Sequence, residues 1–141
     1  MTDLKQDLPS LLSNLSPRLN AGEFIFLTLK APLPAHVRPL AAFHEWEGES
    51  VVLRVEQAET IGIKHADDTY AWITLGVDSA LDSIGLTAVV TRALADAGIP
   101  CNVVAAFHHD HLFVPYSEAK KAMEILKGLQ NIESAKPLKS D

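Results

Sequence analysis

Apolar and polar side chains alternate most regularly between residues 70 and 115, and the period of the alternation changes along that stretch. Ala71, Ile73, Leu75 and Val77 take turns with Tyr70, Trp72, Thr74 and Gly76, the two-residue period of a strand. From Leu86 the spacing is helical: Leu86, Val89, Val90, Ala93, Leu94 and Ala97 form one stripe, with Thr87, Thr91, Arg92 and Asp96 on the polar side. Gly98 ends this helix, because it tolerates the positive φ that such an ending needs. Residues 100–107 and 112–114 read as strands, with His108, His109, Asp110 and His111 as the turn between them. A second helix is predicted from residue 117 to about 129, with Ser117 as its N-cap and Glu118 at the positive end of its dipole. Its core face is Ala119, Ala122, Met123, Ile125, Leu126 and Leu129, and residues 131–135 suit a short last strand.

The first half carries weaker patterns. Leu4, Leu8, Leu11, Leu12 and Leu15 predict a short covering helix within residues 3–15, with Pro9 near its start. Residues 16–22 have turn chemistry and residues 24–29 read as a strand. Pro32, Pro34 and Pro39 exclude a long helix, leaving room for a single turn near 37–42. Residues 45–49 form a hairpin tip between two short strands, the second at 51–55, and 56–61 suit one or two helical turns. The polar link at 67–69 divides the chain into 1–66 and 67–141.

An internal repeat emerges when the halves are aligned. Residues 24–29 match 70–75 at an offset of 46, and residues 49–53 match 110–114 at an offset of 61, with Ala58 then falling on Ala119. The difference between the offsets is the length of one helix. The first half therefore reads as the same unit with its first helix shortened and broken by prolines.

Charge and composition narrow the function. A formal net charge of -6 without a cluster of Lys or Arg excludes nucleic acid and anionic membrane as main partners, since both need a concentrated positive face. No apolar run approaches the roughly 20 residues of a membrane span, and the start lacks signal-peptide order, so a cytoplasmic location is expected. Cys101 is the single cysteine; it forms no internal disulfide and suits a small buried hydrophobe in a reducing compartment.

No catalytic motif is present, whether a nucleophile elbow, a phosphate-binding glycine loop or a His-Glu-x-x-His zinc helix. No catalytic residue, metal ligand or cofactor is therefore assigned. The histidine turn offers at most His109 and His111 on one side, too few for a tetrahedral metal site. Surface turn residues are the better reading, and a small metal-assisted enzyme centred on His109, Asp110 and His111 is the weakest. The polar loop at 78–85, between the first strand and the first helix of the second half, is the candidate site.

The strand from Trp72, Gly85 at the mouth of a helix, the Ala97-Gly98-Ile99 ending, Asn102 in the second strand and Asp110-His111-Leu112-Phe113-Val114-Pro115 in the third together resemble an ACT domain. The whole chain resembles the small proteins built of two ACT units, related in architecture to the cytosolic arginine sensors. The fold this implies is α+β, with tandem ferredoxin-like βαββαβ units, the first degenerate. The function it implies is an amino-acid-binding regulatory or sensor module without catalytic activity, working as a homodimer. A ligand-free interaction module of the same fold is the alternative.

The resemblance puts the ligand at the loop ending in Gly85. There the backbone N–H groups around Ile84, Gly85 and Leu86 face the ligand carboxylate, which the helix dipole favours. Asp82 accepts from the ammonium, Ser79 and Ser83 add hydroxyls, and Asn102 matches the family's strand asparagine. Asp82 and Ser83 serve equally well as helix caps, Gly85 as a close-packing residue and Asn102 as a partner for a strand bend.

Overall fold

The computed structural model describes residues 7–64, 67–79 and 83–135. Elements run in the order α1 (Leu8–Ser13), β1 (Pro17–Leu19), β2 (Phe24–Leu29), β3 (Ala41–Glu45), β4 (Gly48–Arg54), α2 (Val55–Thr60), β5 (Tyr70–Leu75), α3 (Leu86–Asp96), β6 (Asn102–Ala105), β7 (Asp110–Pro115) and α4 (Ala119–Ala135). All strands are antiparallel, in the order β3-β4-β2-β5-β7-β6, with β1 also lying on β5. The α+β architecture with two related units follows from that order, since β3-β4-β2 mirrors β6-β7-β5.

Strand register bears out the repeat. Moving β2 by 46 and β4 by 61 carries Phe24↔Arg54 onto Tyr70↔Pro115 and Phe26↔Val52 onto Trp72↔Phe113. Moving β3 and β4 both by 61 carries Ala41↔Val52 onto Asn102↔Phe113 and His44↔Glu49 onto Ala105↔Asp110. Chance likeness between apolar strands would not reproduce pairing across three strands.

Alternation sorts the side chains onto two faces. On one, Ala71, Ile73 and Leu75 of β5 and Leu112 and Val114 of β7 pack with Leu11 and Leu12 of α1, Leu86, Val90 and Leu94 of α3, and Ala122 and Leu126 of α4. In the first unit the same face buries Ile25, Val51 and Leu53 with Val37 and, from α2, only Ala58. The opposite face joins the units through Phe24, Val52 and Phe113, with Tyr70, Trp72 and Val104 against them. Phe26 of β2 meets both Tyr70 and Phe113 edge to face, at 5.2 Å between ring centroids. β2 and β5 pair only at Phe24↔Tyr70, and β1 takes up the rest of that edge of β5.

Four local expectations change. Residues 17–19 form β1 rather than a plain turn, held by β5 at Pro17↔Leu75 and Leu19↔Ile73. Residues 131–135 continue α4 instead of forming a strand, because α4 runs along α1 and its late residues bond there: Gln130 Oε1 accepts from Ser16 N–H at 2.9 Å and Ser134 donates to the Ser13 carbonyl. β1 thus lies beside β5, where a closing strand was expected. Ser117 caps nothing, since residues Tyr116–Glu118 make a single 3-10 turn entered from Pro115 without a side-chain cap. Finally, β7 begins at Asp110, so Asp110 and His111 belong to a strand and not to the turn.

Candidate functional site

The loop after β5 is fixed at both ends. Gly76 and Val77 donate to the carbonyls of Ser16 and Leu15 at 2.9 and 3.2 Å, which hands the chain from β5 to the segment after α1. A Cβ at Gly76 would stand 2.8 Å from the Ser16 carbonyl oxygen, so only glycine permits this approach. Next, the β6–β7 hairpin grips the loop. The Ser79 N–H donates to the His108 carbonyl at 3.2 Å, and His109 Nδ1 donates to the Val77 carbonyl at 3.2 Å. The second contact places a proton on His109 Nδ1, because a carbonyl can only accept.

Downstream, Gly85 begins α3 in the left-handed region at φ 97°, with no side-chain cap hydrogen bond. Leu8 of α1 packs where its Cβ would be, 3.2 Å away. Val89 donates to the Gly85 carbonyl at 3.0 Å, so the helical ladder starts there and the preceding N–H groups of the first turn have no partner within it. Ser83 does not cap this helix.

Between this helix start and the hairpin lies a cavity of about 80 Å³, lined by Ser79, Ser83, Leu86, Thr87, Ala105, Ala106 and Asp110. Ser79 is 7% exposed and is the buried polar residue of the described chain. Asp110 faces the cavity from β7. Burial pushes its carboxyl above the ordinary range, while His111 and His109 beside it pull the other way. His111 turns to the opposite face: its Nδ1 accepts from Trp72 Nε1–H at 3.0 Å and lies 3.0 Å from Thr74 Oγ1. Burial is the largest influence on that ring and lowers its pKa, with His109 adding to the effect and Asp110 opposing it.

Of the residues proposed from sequence, Ser79, Ser83 and Leu86 are brought together around the cavity, and Gly85 makes the helix start. The Ile84 side chain points to solvent. Asn102 pairs with Phe113 and so shares the other face of the sheet, away from the cavity. Asp82 lies outside the described residues. Asp110 was read only as part of the histidine turn and Thr87 only as the polar side of α3, whereas both line this cavity. A strand counted from 110 puts Asp110 in phase with Leu112 and Val114, and that phase was the available signal. Among the described residues no group of His, Cys, Asp and Glu is placed to hold a metal ion. Cys101 packs against the core, and burial pushes its thiol up to about 11, as suits an inert hydrophobe.

The ACT domain family matches this chain twice, over residues 5–76 and over residues 68–128. The chain belongs to the ACT domain family. The two matches overlap on β5, which bonds to strands of both units. A solved Vibrio cholerae protein of unknown function, described as a possible transport protein, is 37% identical, with a TM-score of 0.74 over 84% of this chain and 92% of that one. An Agrobacterium tumefaciens protein shares the fold at 20% identity, with a TM-score of 0.62 over 81% of this chain and 87% of that one. Aspartokinase alpha and beta subunits share it at 12% identity, with a TM-score of 0.58 over 82% and 97%. No curated protein matches the chain significantly. ACT domains are typically small-ligand regulatory modules and commonly bind amino acids, and neither match is to a catalytic domain. No described helix is long and apolar enough to cross a membrane.

Proposed function

We propose that this ACT protein is a cytoplasmic amino-acid-binding regulatory module without catalytic activity, with one ligand site per chain, in units 1–66 and 67–141, working as a homodimer. The observation that carries the reading is the pairing, around one small polar cavity, of a helix start without a side-chain cap and a carboxylate on the facing strand. A ligand carboxylate at the α3 start meets backbone N–H groups and the positive end of the dipole. Its ammonium then meets Asp110, joined by Asp82 from the loop, and the Ser79 and Ser83 hydroxyls complete the shell. A cavity of about 80 Å³ holds little more than this α-amino and carboxylate head. The ligand side chain must therefore lie outside it.

Thermal unfolding against a panel of the common amino acids at millimolar concentration tests the reading. Ligand at about 100 times its dissociation constant, bound only by the folded state, adds roughly 2.7 kcal/mol and moves the midpoint by several degrees. Asp110→Asn should remove the shift. A panel that moves nothing would leave the ligand-free interaction module as the better account.

A further inference from the structure

The sheet face opposite the helices carries a cleft of about 440 Å³, with Ala41 and Phe43 of β3 among its lining and Val104 of β6, from the other end of the strand order. Strand register sorts its side chains into rows. Ala41, Val52 and Phe26 pair across β3, β4 and β2 as one row, and Phe43, Ser50 and Thr28 as the next. The first row is wholly apolar; the second has a phenyl ring followed by two hydroxyls. Glu45, two residues beyond Phe43, falls on the same side by the strand period, and its carboxylate accepts from the Ser50 hydroxyl. The cleft is therefore apolar at one end and acidic at the other.

Size, charge and ring geometry together select a class of ligand. The volume lies within the range of about 300–1,000 Å³ that holds small molecules. Among the described residues that line it there is no Lys, Arg or His, while Glu47 and Glu49 follow Glu45 on the same hairpin. That end favours a cation and repels an anion. Glu45 still has acceptor sites to offer, because the Ser50 hydroxyl supplies a single proton to a carboxylate that can accept several. Phe26 is held edge to face by Tyr70 and Phe113 and makes a fixed floor. Phe43, 74% exposed, is free to close over a flat body lying on that floor.

We propose that this cleft is a second small-molecule site and that it takes an arylalkylamine without a carboxylate. The aromatic body lies over Phe26, Val52 and Val104, and the protonated amine donates to Glu45, with the Ser50 and Thr28 oxygens accepting its remaining protons. A free amino acid suits it poorly, since its carboxylate would stand beside Glu45. The cleft thus differs in chemistry from the cavity at the start of α3 and lies in the unit that lacks that helix.

Calorimetric titration with three probes of similar shape and different charge tests the assignment: tryptamine, tryptophol and indolepropionate. Tryptamine should bind, tryptophol should bind about tenfold more weakly for want of one hydrogen bond to a charged group, and indolepropionate should not bind measurably. Glu45→Gln keeps an oxygen for Ser50 and should bring tryptamine down to the level of tryptophol. Phe43→Ala should weaken both probes alike. Both side chains are exposed, so each variant should keep the parental unfolding midpoint without ligand. Tryptamine binding should survive Asp110→Asn and the amino-acid thermal shift should survive Glu45→Gln, which separates failure here from failure of the amino-acid reading. Absence of tryptamine binding at millimolar concentration overturns the proposal and leaves the cleft to a protein chain. Equal affinity for the amine and the acid overturns it too, as does binding that Glu45→Gln and Phe43→Ala both leave unchanged.

Discussion

The two units of this ACT protein share strand register and differ in what lies between the first strand and the hairpin. In the second unit that connection is the loop with Ser79, then Gly85 and the eleven residues of α3, whose Leu86, Val90 and Leu94 fill the core. In the first it is residues 30–40, where Val37 is the buried residue and donates to the Pro34 carbonyl at 2.9 Å. Consequences follow on both sides of the sheet. Glu49 and His44 stand at the positions of Asp110 and Ala105, yet with no helix above them their side chains only approach to 4.0 Å at an exposed edge. A conserved strand frame is thus insufficient for a pocket; the helix start has to be present. With less cover, the first unit leaves its edge strand and the aromatics Phe43 and Trp46 in solvent.

The difference in cover can be broken most strongly through the cores. Leu94→Ala, at a fully buried position of α3, should cost about 2–5 kcal/mol in denaturant unfolding. Val37→Ala, its nearest counterpart in the first unit, removes two methyl groups and should cost about 1.5 kcal/mol. Equal losses would mean that the proline-broken segment packs as firmly as the helix it replaces.

How much of this was legible in the sequence depends on where the determinants lie. Residues 24–29, 70–75 and 86–96 were readable because one buried face imposes a period, and the Gly98 ending because Gly98 and Ile99 donate back to Ala95 and Leu94 at 2.9 and 3.0 Å. The repeat was readable because both units obey the same register. β1 was not, since Pro17, Arg18 and Leu19 carry no strand period and become a strand only because the edge of β5 accepts them. The end of α4 was missed for a similar reason: its support comes from α1, more than a hundred residues away in sequence. At the site, Ser79, Ser83 and Leu86 followed from the loop and helix start. Asp110 did not, because its part depends on the hairpin bonding back to Val77 and Ser79.

The site comparison is sharpened by equivalent substitutions. Asp110→Asn should abolish the amino-acid thermal shift, a loss of roughly 2.7 kcal/mol of linkage at about 100 times the dissociation constant. Glu49→Gln, at the same place in the first unit, should leave the shift whole. If both variants weaken it alike, the cavity is not the ligand site.

A smaller effect is expected at the helix start. Gly85→Ala places a side chain in the left-handed region, which costs about 1–2 kcal/mol, and sets its Cβ 3.2 Å from Leu8. Chemical denaturation should report that loss before any ligand is added. A variant as stable as the parent would show that the turn relaxes, and Gly85 would then be free of the structural role assigned to it.

The smallest effect is read by pH at His111 in the second unit. His111 Nδ1 accepts from Trp72, and protonating that nitrogen would replace an acceptor with a donor facing an N–H. Together with burial, this favours the neutral ring, in keeping with its lowered pKa. As pH falls below about 6.5, the unfolded chain binds its proton first and the folded chain resists. The stability this residue contributes is therefore complete above that value and is lost as pH drops towards the lower folded pKa. Asp110 acts with the opposite sign, since a raised carboxyl pKa adds stability at low pH that is lost as pH rises through it. A scan from pH 7.5 down to about pH 5.5 covers the histidine range, and the difference between the parent and a His111 variant gives this residue's share. The unfolding midpoint should decline across that window in the parent and decline less in His111→Gln, whose side-chain oxygen can still accept from Trp72. An unchanged slope in His111→Gln would mean that the Trp72 contact does not hold the ring neutral.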